Sequence, residues 1–286
     1  MLLNPLTFHT PKTIDELAQL YAKLDSVKLQ AGGTFLLNAL KLLKRKGAKT
    51  PEHIVSLSKI SDLKGIEANE DGLTIKTMTT IDELFESLLL DDNFKVLRTV
   101  CRNISTQPIR NMATVGGNLT CRYTWTEMPA VMTGLEANMH FIDTTGQKNT
   151  LTAEDFYKNN AKTDKILTHV TIKRDKTASI VYRRVKKTAY VDIPLLSIII
   201  KTSFKGKRFT NTKVSVNNCV AFAQRDNILE DFLNTQDARE GLGQEALDHL
   251  NESIYDKRSS DYKKHMFRVS IKNAINELVE QQLTKK

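Results

Sequence analysis

Two consecutive glycines stand where one regular element must hand over to another. Residues 27–31 alternate like a β-strand, Leu36, Leu37, Leu40 and Leu43 recur at helical spacing, and Gly32, Gly33 and Thr34 fill the gap between them. A strand that becomes a helix over so few residues needs backbone torsions that side chains resist, and glycine supplies them. The same bend gathers successive N–H groups on one concave side, where the helix N-terminus adds partial positive charge. That describes a cradle for an anion such as a phosphate, with Thr34 placed to cap the helix or to donate to the ligand. The pattern is neither G-x-G-x-x-G nor a Walker loop, so on spacing alone a plain strand-to-helix turn stays open beside the cradle.

The helix closes with Lys44, Arg45 and Lys46 before Gly47, Pro51 blocks its continuation, and 53–57 reads as a strand, which completes a strand–helix–strand unit. Thr13-Ile-Asp-Glu16 reads as a capping box ahead of Ile14, Leu17, Tyr21 and Leu24, and Thr80-Ile-Asp-Glu-Leu84 opens a second helix with the same residues. Residues 73–78 alternate as a strand, 94–104 and 129–137 read as helices, and 138–142 reads as a strand before the hairpin turn Asp143-Thr-Thr-Gly146. The stretch 107–118 is rich in turn residues. From about residue 166 the texture changes: 166–172, 179–185, 191–201 and 213–222 look like consecutive strands, helices dominate after Asp226, and the last, 262–283, is long and amphipathic. The expected class is α+β, with a first domain over 1–175 (subdomains about 1–57 and 58–175) and a second over 176–286.

Composition removes several functions. Hydrophobic residues are 40% of the 286 and charged residues 26%, enough to build a core and too apolar for a disordered chain. The longest apolar run, 193–200, is far short of the roughly 20 residues of a membrane span. The N-terminal residues lack a basic region and an apolar stretch, so neither a signal peptide nor a membrane role is expected. Cys101, Cys121 and Cys219 are an odd number without CxxC spacing, which argues against disulfides, zinc and iron–sulfur ligation and for the cytoplasm; Cys101 and Cys121 read as buried small hydrophobes. The net charge of +9 admits nucleic acid, but aromatics are not interleaved with Lys and Arg as a stacking platform requires, and a solvated surface accounts for it. The six histidines lack metal spacing and no Ser-His-Asp set is visible.

A second glycine pair, Thr114-Val-Gly-Gly-Asn118, follows Gln107-Pro-Ile-Arg-Asn111. Two such sites in one domain suit a dinucleotide, which has two phosphates and a long polar tail. In this order, Ala31-Gly-Gly-Thr34 and the I-R-N…T-x-G-G-N segment resemble the flavoprotein subunits of the molybdenum hydroxylases, the xanthine dehydrogenase and carbon monoxide dehydrogenase family. Glu127-Met-Pro-Ala-Val131 resembles that family's acidic residue before a Pro-Ala helix, and Tyr182-Arg-Arg-Val-Lys-Lys187, Asp192-Ile193 and Ser260-Asp-Tyr-Lys-Lys-His-Met266 extend the likeness nearly to the C-terminus.

The resemblance implies an FAD-binding domain of the vanillyl-alcohol-oxidase-like (PCMH) type, with two subdomains around the cofactor, followed by a smaller α+β C-terminal domain. It places Leu29, Gln30, Ala31, Gly32, Gly33, Thr34, Phe35 and Leu36 along the pyrophosphate, and Thr114, Gly116, Gly117 and Asn118 on the rest of the diphosphate and nearby sugar or ribityl groups. Glu127 falls on the adenosine ribose, Ile104, Ile166 and Leu167 on the cofactor and its ring, and Arg183 or Arg184 close to it. The chain departs from the family in carrying Arg122, Tyr123 and Trp125 where it is usually small, and Glu127 for Asp; the bulky residues either cover the cofactor or crowd it. The implied function is electron transfer by FAD from a 2Fe-2S partner subunit to NAD+ or another acceptor, with a molybdopterin-binding large subunit completing the complex. A stand-alone flavin reductase and a flavin-free scaffold are the alternatives.

Overall fold

The computed structural model describes residues 3–121, 123–158, 164–191, 193–218, 222–256 and 260–284; Arg122, Asp192 and Cys219 lie outside them. The described residues form three sheets, each with an apolar core.

The first body comprises β1 (Thr7–His9), α1 (Ile14–Lys23), β2 (Val27–Gln30), α2 (Leu36–Arg45) and β3 (His53–Ser56). β3 lies between β1 and β2, parallel to both, as a strand–helix–strand crossover requires. The two identical helix starts solve their capping differently. Thr13 Oγ1 accepts from Glu16 N at 3.1 Å, but Glu16 reaches past the cap to Lys12 N at 2.7 Å. At the second start, Thr79 N already donates to Lys76 O, and Glu83 takes Thr80 N at 2.7 Å to close the full box.

The second body holds β4 (Ile66–Ala68), β5 (Gly72–Lys76), α3 (Ile81–Glu86), α4 (Lys95–Asn103), α5 (Gln107–Arg110), α6 (Val115–Thr120), α7 (Met128–Gly134), β6 (Asn138–Ile142), β7 (Lys148–Thr152), α8 (Ala153–Lys158) and β8 (Ile166–Lys173). Its antiparallel sheet runs β4-β5-β8-β6-β7. The turn-rich stretch around the second glycine pair is helical in two short pieces, α5 and α6. Thr114 caps α6 by accepting from Gly117 N at 3.1 Å, so Gly116 and Gly117 lie in a helical first turn.

The third body contains β9 (Ser179–Lys186), β10 (Pro194–Lys205), β11 (Arg208–Asn217), β12 (Gln224–Arg225), α9 (Asn227–Leu233), α10 (Leu242–Glu245), α11 (Glu252–Asp256) and α12 (Asp261–Thr284). Its sheet order is β12-β11-β10-β9, all antiparallel. β10 is buried without alternation from Pro194 to Ile200 because both its faces are covered: Leu196, Ile198 and Ile200 join the core beneath α12, and Ile199 joins that of the second body. There α7, buried along its whole length, meets Ile199 through Gly134. Arg225 pins the two bodies polar-side, with Glu154 at 2.7 Å and Glu230 beside it. Among the described residues, no helix is long and apolar enough to cross a membrane.

Candidate functional site

The two glycine pairs come from different bodies, one from the loop after β2 and one from α6, and meet. An added Cβ on Gly32 would lie 1.8 Å from the backbone oxygen of Met112, and one on Gly117 would lie 3.5 Å from Ala31 Cβ. Only hydrogen at position 32 lets β2's loop touch the 112–113 main chain.

The two loops then divide the work. Gly33 takes φ +71°, and no hydrogen bond among the described residues engages the N–H groups of Gly32, Gly33, Thr34 or Phe35. Phe35 is the N-cap of α2 and makes no side-chain cap bond, so Thr34 does not cap the helix. The loop therefore presents a run of free donors continuing into the first turn of α2, whose own N–H groups are unpaired by helix geometry. The second loop has spent its donors. Val115 N donates to Thr79 O and Gly116 N to Thr77 O, both at 2.9 Å, and Asn118 N donates to Thr114 O. Gly116 serves close approach, because a Cβ there would lie 1.6 Å from Thr77 Oγ1. What this loop leaves open is a side-chain atom: Asn118 Oδ1 is buried and has no partner. A buried acceptor without a donor costs free energy, and a hydroxyl-rich ligand lying on the donors of residues 32–35 would satisfy it. This is a site whose residues fit FAD.

Around this centre the expected residues separate. Leu29, Gln30, Ala31 and Leu36 are half-buried beside the donor run, and Phe35 is 39% exposed. Ile104, Ile166 and Leu167 are packed into cores, Ile166 with the first body and the other two with the second. Glu127 is buried at the N-cap of α7, where Oε1 accepts from Arg184 Nε at 2.7 Å and from the Tyr182 hydroxyl. Burial pushes its carboxyl above the usual range, and the Arg184 charge and the Tyr182 hydrogen bond oppose that shift. Burial also holds the Tyr182 phenol well above its ordinary value.

Arg183 and Arg184 point to opposite sides of β9. Strand side chains alternate, and β9 sends Tyr182 and Arg184 to Glu127 while Val181 and Val185 join the core under α12. Arg183 shares the α12 side and pairs with Glu277 there. Of the two arginines, Arg184 is the one that reaches the loop-side segment. Cys101 is buried, with its thiol pushed up to about 12 by desolvation, whereas Cys121 is only partly covered.

Sequence reasoning missed the backbone of Met112 and the Thr77–Thr79 carbonyls, which carry no chemical signature. It also missed Asn217, whose Nδ2 donates to Thr126 O at 2.9 Å.

Residues 4–173 match the family described as the FAD binding domain in molybdopterin dehydrogenase. The carbon monoxide dehydrogenase medium chain of Hydrogenophaga pseudoflava is 29% identical over 152 residues, 52% of this chain and 51% of that one. The glyceraldehyde dehydrogenase medium chain of Sulfolobus acidocaldarius is 24% identical over 195 residues, 67% of each. The chain thus spans about half to two thirds of these relatives. The structure of a Hydrogenophaga pseudoflava carbon monoxide dehydrogenase lacking the Mo-pyranopterin moiety shares the fold, with TM-score 0.87 at 23% identity over 96% of this chain and 98% of that one. Quinoline 2-oxidoreductase from Pseudomonas putida 86 gives 0.86 at 20% identity over 99% of this chain and 100% of that one. With the glycine loops, the donor run and the match over 4–173 all in agreement, the chain belongs to the FAD-binding domain family of the molybdopterin dehydrogenases.

Proposed function

We propose that this chain is the electron-transferring flavin subunit of a molybdenum hydroxylase complex, taking electrons from a 2Fe-2S partner subunit and passing them to NAD+ or another acceptor. A molybdopterin-binding large subunit would oxidise the substrate. The observation that carries the reading is the run of unpaired N–H groups from Gly32 to Phe35, set against Gly117 and Asn118.

FAD, when bound, exchanges electrons singly on one side and in pairs on the other, chemistry that no side chain here supplies. The N–H groups of residues 32–35 would hold the diphosphate, and Asn118 Oδ1 would accept from a sugar or ribityl hydroxyl. A ribose contact by Glu127 competes with its ion pair, so we assign Glu127 to positioning: it fixes Arg184 and Tyr182 of β9 against the start of α7. Three cysteines are one short of the four thiolates a cluster takes, which favours a cluster on another chain.

The test is to purify the chain, record its visible spectrum, strip it and titrate it with FAD. A yellow protein that rebinds FAD, and a Gly33→Val variant that does not, is the expected result. With the partner subunits added, electrons from the substrate should reach NAD+ or an artificial acceptor. A colourless chain that ignores FAD even beside its partners would overturn the reading in favour of a scaffold.

A further inference from the structure

Three aromatic rings cluster around Phe35, the last residue of the donor run, and serve none of the cores. Phe35 directly follows Thr34; its ring meets Tyr123 edge-on at 4.3 Å between centroids and lies 6.2 Å from Trp125, while Tyr123 stacks on Trp125 at 4.5 Å. Phe35 is 39% exposed and the other two are half-buried, and none belongs to the three apolar clusters. Rings recruited only for stability gain most by full burial; these keep apolar surface open beside the free donors.

The segment bearing Tyr123 and Trp125 is pinned from the third body. Asn217 Nδ2 donates to Thr126 O at 2.9 Å, Thr124 Oγ1 donates to Asn218 Oδ1 at 3.1 Å, and Glu127 is held by Arg184. Asn218 sits in the left-handed region at φ 59° and is fixed in turn by donating to the carbonyls of Pro194 at 2.9 Å and Leu195 at 3.0 Å. Anchored main chain on one side and a stacked ring pair on the other make a preorganised wall, which loses little freedom when a flat ligand lies against it.

We propose that Tyr123 and Trp125, braced by Phe35, form an aromatic wall on which one planar ring system of the dinucleotide stacks, a binding contribution separate from the glycine cradle. The proposal rests on the FAD reading above. Trp125 is the chain's one tryptophan and reports on the site directly.

The experiment uses the full chain stripped of flavin, as wild type and as W125L, W125F and Y123L. FAD affinity and dissociation rate are measured, with ADP and FMN as half-molecule probes, and thermal unfolding is followed alongside. W125L and Y123L should weaken FAD binding about tenfold or more at near-wild-type Tm, because base–aromatic stacking is lost, while W125F keeps most of the affinity. Loss carried over to ADP puts the adenine on the wall, and loss carried over to FMN puts the isoalloxazine there. In the wild type, whichever half-molecule stacks should also protect Trp125 from acrylamide. Unchanged FAD affinity in W125L, equal losses in W125F and W125L, or no protection of Trp125 by either probe would overturn the wall. If the wild type binds no FAD, the cofactor reading fails instead, so the two failures are distinct.

Discussion

Replacing Gly32 by alanine should separate the two loops that form the site. The new Cβ would start 1.8 Å from Met112 O and 2.7 Å from Met112 C, and real Cβ atoms essentially never come within 3.0 Å of such neighbours. The junction must therefore open by about 1.2 Å, and both obstacles are main chain, so no rotamer change absorbs it. Overpacking of this kind costs about 1–3 kcal/mol, which for a chain of this size lowers Tm by roughly 2–5 °C. The same opening moves the donors of residues 32–35 away from Asn118, so FAD affinity should fall beyond tenfold, the equivalent of about 1.4 kcal/mol. Differential scanning calorimetry of the stripped protein and a flavin titration measure the two effects separately. Gly47→Ala is the control: its φ of +68° strains an alanine but nothing lies within 4 Å of it, so it should lower Tm modestly and leave FAD affinity alone. A Gly32→Ala protein with wild-type Tm and wild-type FAD affinity would refute the claim that this contact holds the site together.

Other substitutions and conditions give equally definite expectations. Glu127→Ala leaves Arg184 buried without its carboxylate and should cost about 3–5 kcal/mol in urea unfolding, whereas Glu127→Gln, which keeps an acceptor for Tyr182 and Arg184, should cost much less. His140 and His169 stack at 4.2 Å across β6 and β8, and burial lowers the pKa of both, helped at His169 by the charges of His140, Lys76 and Lys148 and opposed by Glu67. A base with a depressed folded pKa binds more protons unfolded, so stability should fall as pH drops below about 6.5 and level off under the folded values; His140→Gln should flatten that slope in a pH series of Tm. Saturation with FAD at about a hundred times its Kd should add roughly 2.7 kcal/mol to the unfolding free energy, seen as a rise in Tm that Gly33→Val does not show.

Much of this was readable from the residues. The Thr13 and Thr80 caps, the Gly32–Gly33 handover and the β6 strand rest on local chemistry: a side chain within a turn of the N–H it satisfies, or a period of two. The α+β class follows from such elements in order. What escaped depends on distant neighbours. β1 is three residues long and earns its strand only by pairing with β3, more than forty residues away. Arg183 and Arg184 are chemically alike, and their roles part only through β9's register against β10 and α12. Thr114-Val-Gly-Gly-Asn looked like a turn because glycine is a poor helix former, yet the threonine cap and the Thr77 and Thr79 carbonyls hold it helical. The Phe35–Tyr123–Trp125 cluster joins residues about ninety positions apart and has no local signature.

The close approaches at Gly32 and Gly116 also bear on how such a site can change over generations. An ion pair can be inverted and a core pair can exchange volume, so a damaging substitution in either can be repaired by a second one nearby. At Gly32 the opposing surface is the Met112 carbonyl, whereas at Gly116 the nearest atom is a side-chain one, Thr77 Oγ1 at 1.6 Å from an added Cβ. Main chain has no smaller version of itself. Any side chain at Gly32 leaves a lesion without a second-site suppressor among the residues it touches, so that position should return only revertants to glycine in a selection that depends on the bound flavin, whereas a change at Gly116 should also yield second-site replacements of Thr77.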